Sequence, residues 1–189
     1  MRIFVTGTGR CGTVTLWQAL RHATNFDEVG HESRTFGEGA TRVLWYEDNT
    51  IEVSSHLAIH MAELRTRYPD SVWIKLWRDP QQCIKSLVAN CSEEMLAYAK
   101  QWYQVENESV QFCAATYYRD INLLIDANEP DYLIEIDDAR QTFSCMWSQL
   151  GIEGDIELAM LELERHYNTT NSNTSQKQHI IVNVYICEK

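Results

Sequence analysis

The 189-residue sequence predicts an α/β fold, three layers in which a mainly parallel sheet carries helices on both faces. Three observations lead there. Short β-favouring runs alternate with segments of helical period, as expected for strand–helix–strand units whose strands are buried on both sides. A glycine-containing turn joins the first strand to the first helix. Asp79-Pro80 ends a later strand and opens a helix, pairing an N-cap with proline at the first helical position.

Arg2–Thr6 is short, β-favouring and stopped by glycine, so it reads as a buried strand. From Thr13 onward Val14, Trp17 and Leu20 recur at helical spacing. Residues 26–42, rich in Gly, Glu and Arg, show no period and read as loop. Thr50-Ile-Glu-Val is a second strand, and Leu57, Met61 and Leu64 share the face of a following helix that Pro69 must stop. Ser71–Trp77 reads as a third strand. The helix after Pro80 has Ile84, Leu87, Val88 and Cys91 as its apolar face. Residues 93–127 form one long or two shorter helices, with Met95, Tyr98, Trp102 and Val105 on one stripe. Tyr132–Ile136 is a fourth strand, 139–150 a helix closed by Gly151, and 155–165 another helix. A polar stretch, Asn168–Gln178, precedes the apolar, β-favouring His179–Cys187. Neither repeat nor second domain is visible, so the sequence predicts one domain over 1–189.

Composition removes several function classes. A formal charge of −11 argues against a nucleic-acid partner, because phosphate backbones need an excess of Lys and Arg. An anionic nucleotide stays compatible if its pocket gathers a few cations locally. The cysteines at 11, 83, 91, 113, 145 and 187 include no C-x-x-C pair, and the histidines show no metal-site spacing around them. They read as reduced thiols rather than a disulfide framework or a zinc site. The opening Met-Arg-Ile-Phe-Val-Thr-Gly reaches glycine too soon for a signal-peptide apolar region, and no run has membrane-spanning length. The expectation is a cytoplasmic protein with no membrane partner.

The turn after the first strand reads Gly7-Thr8-Gly9-Arg10-Cys11-Gly12-Thr13-Val14-Thr15. Its glycines let successive N–H groups point at one anion, and the new helix adds the positive end of its dipole. With the element order, this predicts a P-loop-type phosphate cradle. The nucleoside-triphosphatase form of that loop places Lys directly after the last glycine, where this chain has Thr13. Its cation is Arg10, inside the turn, and a turn that merely reverses direction has no need of one. Transfer of a γ-phosphoryl group offsets several negative charges, usually with magnesium and Lys. A sulfuryl group carries less charge, so a cation, amides and hydroxyls suffice without metal. Asp137-Asp138, after the fourth strand, is the nearest candidate for a metal-binding aspartate; a solvated strand end explains it equally well.

The third strand ends in Trp77-Arg78-Asp79-Pro80, and Ser86 follows eight residues after Arg78. The carboxyl end of a strand is the ligand edge of an open α/β sheet, and an Arg with a hydroxyl suits a second phosphate. The alternative for Arg78 is a surface ion pair with Asp79. Together these motifs resemble the sulfotransferase superfamily, which uses 3′-phosphoadenosine 5′-phosphosulfate. There a Lys/Arg-Ser-Gly-Thr turn holds the 5′-phosphosulfate, and an Arg and a Ser eight residues apart hold the 3′-phosphate. The resemblance implies that Gly9, Arg10, Cys11, Gly12, Thr13, Val14 and Thr15, with Arg78 and Ser86, bind this co-substrate, with no metal. It spans roughly residues 2–152, and the Leu-Ile-Glu-Ile-Asp-Asp and Gln-Leu-Gly segments share in it. Cys11 stands where the family has Ser, and the family's Arg-Lys-Gly segment is absent.

Sulfuryl transfer to a hydroxyl or amine needs a base beside the acceptor and a cation at the transferring group. The resemblance offers two bases. Glu32 lies 22 residues after Arg10, near the distance at which carbohydrate and tyrosyl-protein sulfotransferases place a catalytic Glu. His56, in Ser54-Ser55-His56-Leu57, lies 22 residues before Arg78 and matches the Thr-His-Leu-Pro site of small-molecule sulfotransferases. The Arg form of the glycine turn favours Glu32, with His31 as its neighbour in shaping the pocket. Trp45, Tyr46, Trp73, Trp77 and Trp102 are candidates to line an acceptor site, with core packing as the default for aromatics at regular spacing. The readings left open are a sulfotransferase, a P-loop nucleotide or small-molecule kinase, and a non-catalytic nucleotide-binding relative.

Overall fold

At the centre of the sheet lies β1 (Arg2–Thr6), whose Ile3, Phe4 and Val5 are fully buried. The computed structural model describes residues 1–33, 45–105 and 108–165. On one side β1 pairs with β3 (Thr50–Val53), which pairs in turn with β2 (Glu28–His31). On the other it pairs with β4 (Val72–Trp77), and β4 with β5 (Tyr132–Glu135). The order is β2-β3-β1-β4-β5 and every pair is parallel. Val5, Val53 and His31 are in register, so β1, β3 and β2 reach their carboxyl ends level with one another.

Helices cover both faces, as the alternation of elements requires. Right-handed crossovers put α1 (Thr13–Leu20), which leads from β1 to β2, on one face. The same rule puts α2 (Met61–Arg67), α3 (Pro80–Asn90), α4 (Ser92–Tyr103) and α5 (Val110–Asp126) on the other. After β5, α6 (Ala139–Gln149) and α7 (Ile156–Leu163) complete the first layer, with α7 packed on both α1 and α6.

Most of the expected elements are present. Asp79 caps α3 by accepting from Gln82 N–H, and the long helical stretch is two helices, α4 and α5. Ser55–His60 forms 3₁₀ turns before α2, so the helix expected around Leu57 becomes regular at Met61. Burial in α1 falls on Thr13, Thr15, Leu16, Ala19 and Leu20 rather than on Val14 and Trp17, because the helix lies between the sheet and α7. One expectation is overturned: within 26–42, Glu28–His31 is a strand. Its intrinsic β preference rests on Val29 alone, and its order comes from pairing with β3. Residues 34–42 of that stretch, Asn168–Gln178 and His179–Cys187 lie outside the described residues.

The aromatic candidates separate cleanly. Tyr46 and Trp73 are fully buried around Phe4, with ring centroids 4.9 and 4.8 Å from it, and belong to the core. Trp45 is exposed, and Trp102 lies at a tilt to Tyr98 of α4, ring centroids 6.3 Å apart. Trp77 stands at the carboxyl end of β4, beside Arg78.

Candidate functional site

Parallel strands send all their carboxyl ends to one edge, so the residues singled out in the sequence share that edge. Arg10 follows β1, Glu32 follows β2, His56 follows β3, Arg78 follows β4 and Asp137 follows β5. Between β1 and β4 the chain leaves toward opposite sides of the sheet, through α1 to β2 and through α3 toward β5. Such a switch point is where open α/β sheets bind their ligands.

Two left-handed residues shape the turn after β1: Arg10 at φ 67° and Gly12 at φ 104°. Gly12 is the N-cap of α1 and offers no side-chain capping bond, so the first amides of the helix point out of it without a side-chain acceptor at the cap. A Cβ on Gly12 would also lie 2.6 Å from Ile136 Cγ1, so any other residue there must displace Ile136. Thr8 and Cys83 brace the turn from α3: Thr8 Oγ1 and Cys83 Sγ are 3.2 Å apart, and the thiol donates to Gly9 O at 3.3 Å. Cys11 is 1% exposed, and its sulfur lies under the turn, where a Cβ on Gly7 would meet it at 2.7 Å. Burial pushes its thiol far above the ordinary range. What Cys11 can offer an anion is therefore its backbone N–H; the serine hydroxyl of the resembling motif has no counterpart on this side chain. Thr13 and Thr15 are buried and Val14 half-buried at the start of the helix.

The two cationic junctions lie against each other. Arg10 Nε donates to Ser86 Oγ at 3.1 Å, joining the turn after β1 to α3. Arg78 Nη1 approaches the Arg10 carbonyl at 3.5 Å, and its Nη2 donates to Gln82 Oε1 at 3.0 Å. Arg78 Nε is buried with no hydrogen-bond acceptor among the described residues. Its nearest carboxylate, Asp137, stands 3.6 Å away. Tyr118 of α5 holds the backbone of Arg78 by donating to its carbonyl at 2.9 Å, and burial raises that phenol to about 12. Arg78 is thus occupied by Gln82, Arg10 and Asp137, while Asp79 caps α3 instead of pairing with it.

On the other side of β1, Glu32 N–H donates to Val53 O at 3.1 Å, and Glu32 itself is left-handed at φ 49°. Its carboxylate accepts from Ser55 Oγ at 3.3 Å, and Ser55 precedes His56. His56 N–H donates to Ser54 Oγ at 3.2 Å, so this histidine starts the 3₁₀ turns that follow β3. His31 turns to α1, with Nε2 3.4 Å from Thr13 Oγ1 and its ring 5.3 Å from Trp17. Burial lowers its pKa. A hydroxyl at the start of α1 is thereby tied to the residue before Glu32. Sequence reasoning missed Cys83, Ser33, Ser55 and Glu52, all of which support this edge. For Glu52 a signal was legible, since an acidic residue inside a doubly covered parallel strand demands a partner.

Among the described residues no group of three or more His, Cys, Asp or Glu is arranged to hold a metal ion, and no helix is long and apolar enough to cross a membrane. The donors gathered at the edge are of the kinds that bind anions: a guanidinium whose buried Nε–H makes no hydrogen bond among the described residues, a second guanidinium beside a hydroxyl, and helix-start amides. No protein-family model and no curated protein matches the sequence. Among solved structures the chain is similar to a sulfotransferase from Alicyclobacillus acidocaldarius, with a TM-score of 0.52 and 16% identity. That likeness covers 82% of this chain and 83% of the other, and shows that the two share a fold.

Proposed function

We propose that the chain transfers a sulfuryl group from 3′-phosphoadenosine 5′-phosphosulfate to a hydroxyl or amine acceptor. The observation that carries this reading is the meeting of two cationic junctions at one sheet edge, Arg10 on Ser86 at 3.1 Å and Arg78 on the Arg10 carbonyl at 3.5 Å. A ligand with two separate anionic groups fits that pair better than a ligand with one. The Gly9–Thr15 turn, through its amides and Arg10, would take the 5′ end; Arg78 and Ser86 would take the 3′-phosphate. The donor supplies a sulfuryl group on a phosphate leaving group. Arg10 and the helix start stabilise the charge that gathers on that phosphate, and Glu32 receives the acceptor proton at its carboxylate. His56 is the alternative base on the same edge. A kinase on this scaffold would put a lysine where Thr13 stands.

Titration calorimetry with adenosine 3′,5′-bisphosphate, against ADP and ATP with magnesium, tests the reading. The bisphosphate is expected to bind at least tenfold more tightly. Equal affinity, or binding that depends on magnesium, overturns it.

A further inference from the structure

Glu52 lies inside β3, covered on both faces, with only 1% of its surface exposed. A carboxylate in such a position is unfavourable unless donors hold it. Ser33 supplies two: its N–H donates to Oε1 at 2.9 Å and its hydroxyl to Oε2 at 2.5 Å. Space for that contact comes from Gly30, the residue of β2 in register with Glu52. A Cβ on Gly30 would fall 2.7 Å from Ser33 Oγ and nearer still to Glu52 Oε2. The absent side chain is what lets the carboxylate reach across β2 to the residue that follows the strand.

Between Gly30 and Ser33 sits Glu32. Its left-handed backbone, φ 49°, is a conformation that an L-residue keeps only when its surroundings impose it. On the entry side the turn is fixed by Glu32 N–H on Val53 O. On the exit side it is fixed by Glu52 on Ser33. The two clamps leave the Glu32 carboxylate at Ser55.

We propose that Glu52 is a positioning residue: by gripping both donors of Ser33 across Gly30, it holds the turn that aims the Glu32 carboxylate. This rests on the reading of Glu32 as the base. A buried carboxylate is used here because it accepts two hydrogen bonds in a fork, one from backbone and one from side chain, which a single-acceptor group cannot do.

The test pairs a structural readout with a kinetic one. Amide hydrogen exchange is followed by NMR, and release of inorganic sulfate from 3′-phosphoadenosine 5′-phosphosulfate is measured with water as the acceptor. In Glu52→Ala the Ser33 amide is expected to exchange at least tenfold faster, with kcat down roughly ten- to a hundredfold and KM for the donor changed less than twofold. Glu52→Gln, which keeps one acceptor, should recover part of both effects. Ser33→Ala, at an exposed position that does not threaten folding, should lower kcat with KM retained. Unchanged Ser33 exchange in Glu52→Ala overturns the proposal, and so does faster exchange with kcat intact. Failure of the reading beneath it looks different: Glu32→Gln would then keep full turnover, or the unaltered protein would release no sulfate, whatever the exchange of Ser33.

Discussion

Arg10 holds a left-handed backbone that glycine would adopt without strain, and replacing it separates what the fold needs from what a ligand needs. At φ 67° an L-residue is about 1 kcal/mol above its preferred conformations. Arg10→Ala keeps that strain and loses the Nε bond to Ser86, itself worth about 1 kcal/mol at a half-buried site. Arg10→Gly loses the same bond but relieves the strain, less a fraction of a kcal/mol for glycine's greater freedom in the unfolded chain. The glycine variant should therefore be about as stable as the parent, and the alanine variant less stable by about 1 kcal/mol. Urea unfolding monitored by tryptophan fluorescence resolves that difference. Both variants should bind adenosine 3′,5′-bisphosphate roughly ten- to a hundredfold more weakly, since each removes one charge-assisted contact of about 1.5–3 kcal/mol. Equal stability of the two variants would show that the left-handed conformation carries no strain. Undiminished nucleotide binding by Arg10→Gly would remove Arg10 from the anion site and, with it, the reason for an arginine in this turn.

Asp137 stands 3.6 Å from Arg78 Nε and competes with an incoming phosphate, but both groups are partly solvated. Asp137→Asn should tighten bisphosphate binding two- to fivefold, about 0.5–1 kcal/mol, with the gain shrinking in high salt; weaker binding in calorimetry would contradict the assignment. Gly12→Ala puts a methyl group on Ile136 at φ 104° and should lower stability by about 2 kcal/mol, or Tm by about 4–8 °C; a thermal melt within a degree of the parent would refute it. Burial keeps His31 neutral in the folded protein below its ordinary value of about 6.5. As pH falls through that value the unfolded chain gains a proton that folded His31 resists, so stability falls with acid until the folded site itself protonates. His31→Gln should flatten that slope. An NMR titration midpoint for His31 at or above the ordinary value would reverse the sign.

How much of this was legible in the sequence depended on whether a signal was local. The turn after β1, the Asp79-Pro80 start of α3 and the stop at Pro69 are local chemistry, and each appears where its residues require. The spacing of Arg78 and Ser86 was legible because a strand end and the following helix are contiguous, but the bond that Ser86 accepts from Arg10 was not, since it joins α3 to the turn after β1. Glu28–His31 was not, because β2 is ordered by hydrogen bonds to β3 that a window of sequence cannot contain. Cys83 escaped notice for a related reason. Helical period marks it as one more residue near Ile84 and Leu87, but its contact with Gly9 depends on β1 and β4 being neighbours. Tyr46 and Trp73 shared an aromatic character with Trp77, and only the packing around Phe4 distinguishes core from edge.

The strand order itself divides the labour of the edge. Arg10 and Arg78 are far apart in sequence, and they meet because β1 and β4 are adjacent while their chains depart to opposite sides. Glu32 and His56 follow β2 and β3, on the far side of β1. With strands about 4.8 Å apart, the end of β2 lies roughly 10 Å from β1 across the sheet. On the proposed reading, a small hydroxyl or amine would sit between the Glu32 carboxylate and a group held by the Gly9–Thr15 turn. A base in direct contact with the Gly9–Thr15 turn would add negative charge where the proposed ligand is already anionic. Placed two strands away, Glu32 would on the proposed reading spare the anion that repulsion and leave room for an acceptor, while the His31–Thr13 contact ties β2 to the start of α1.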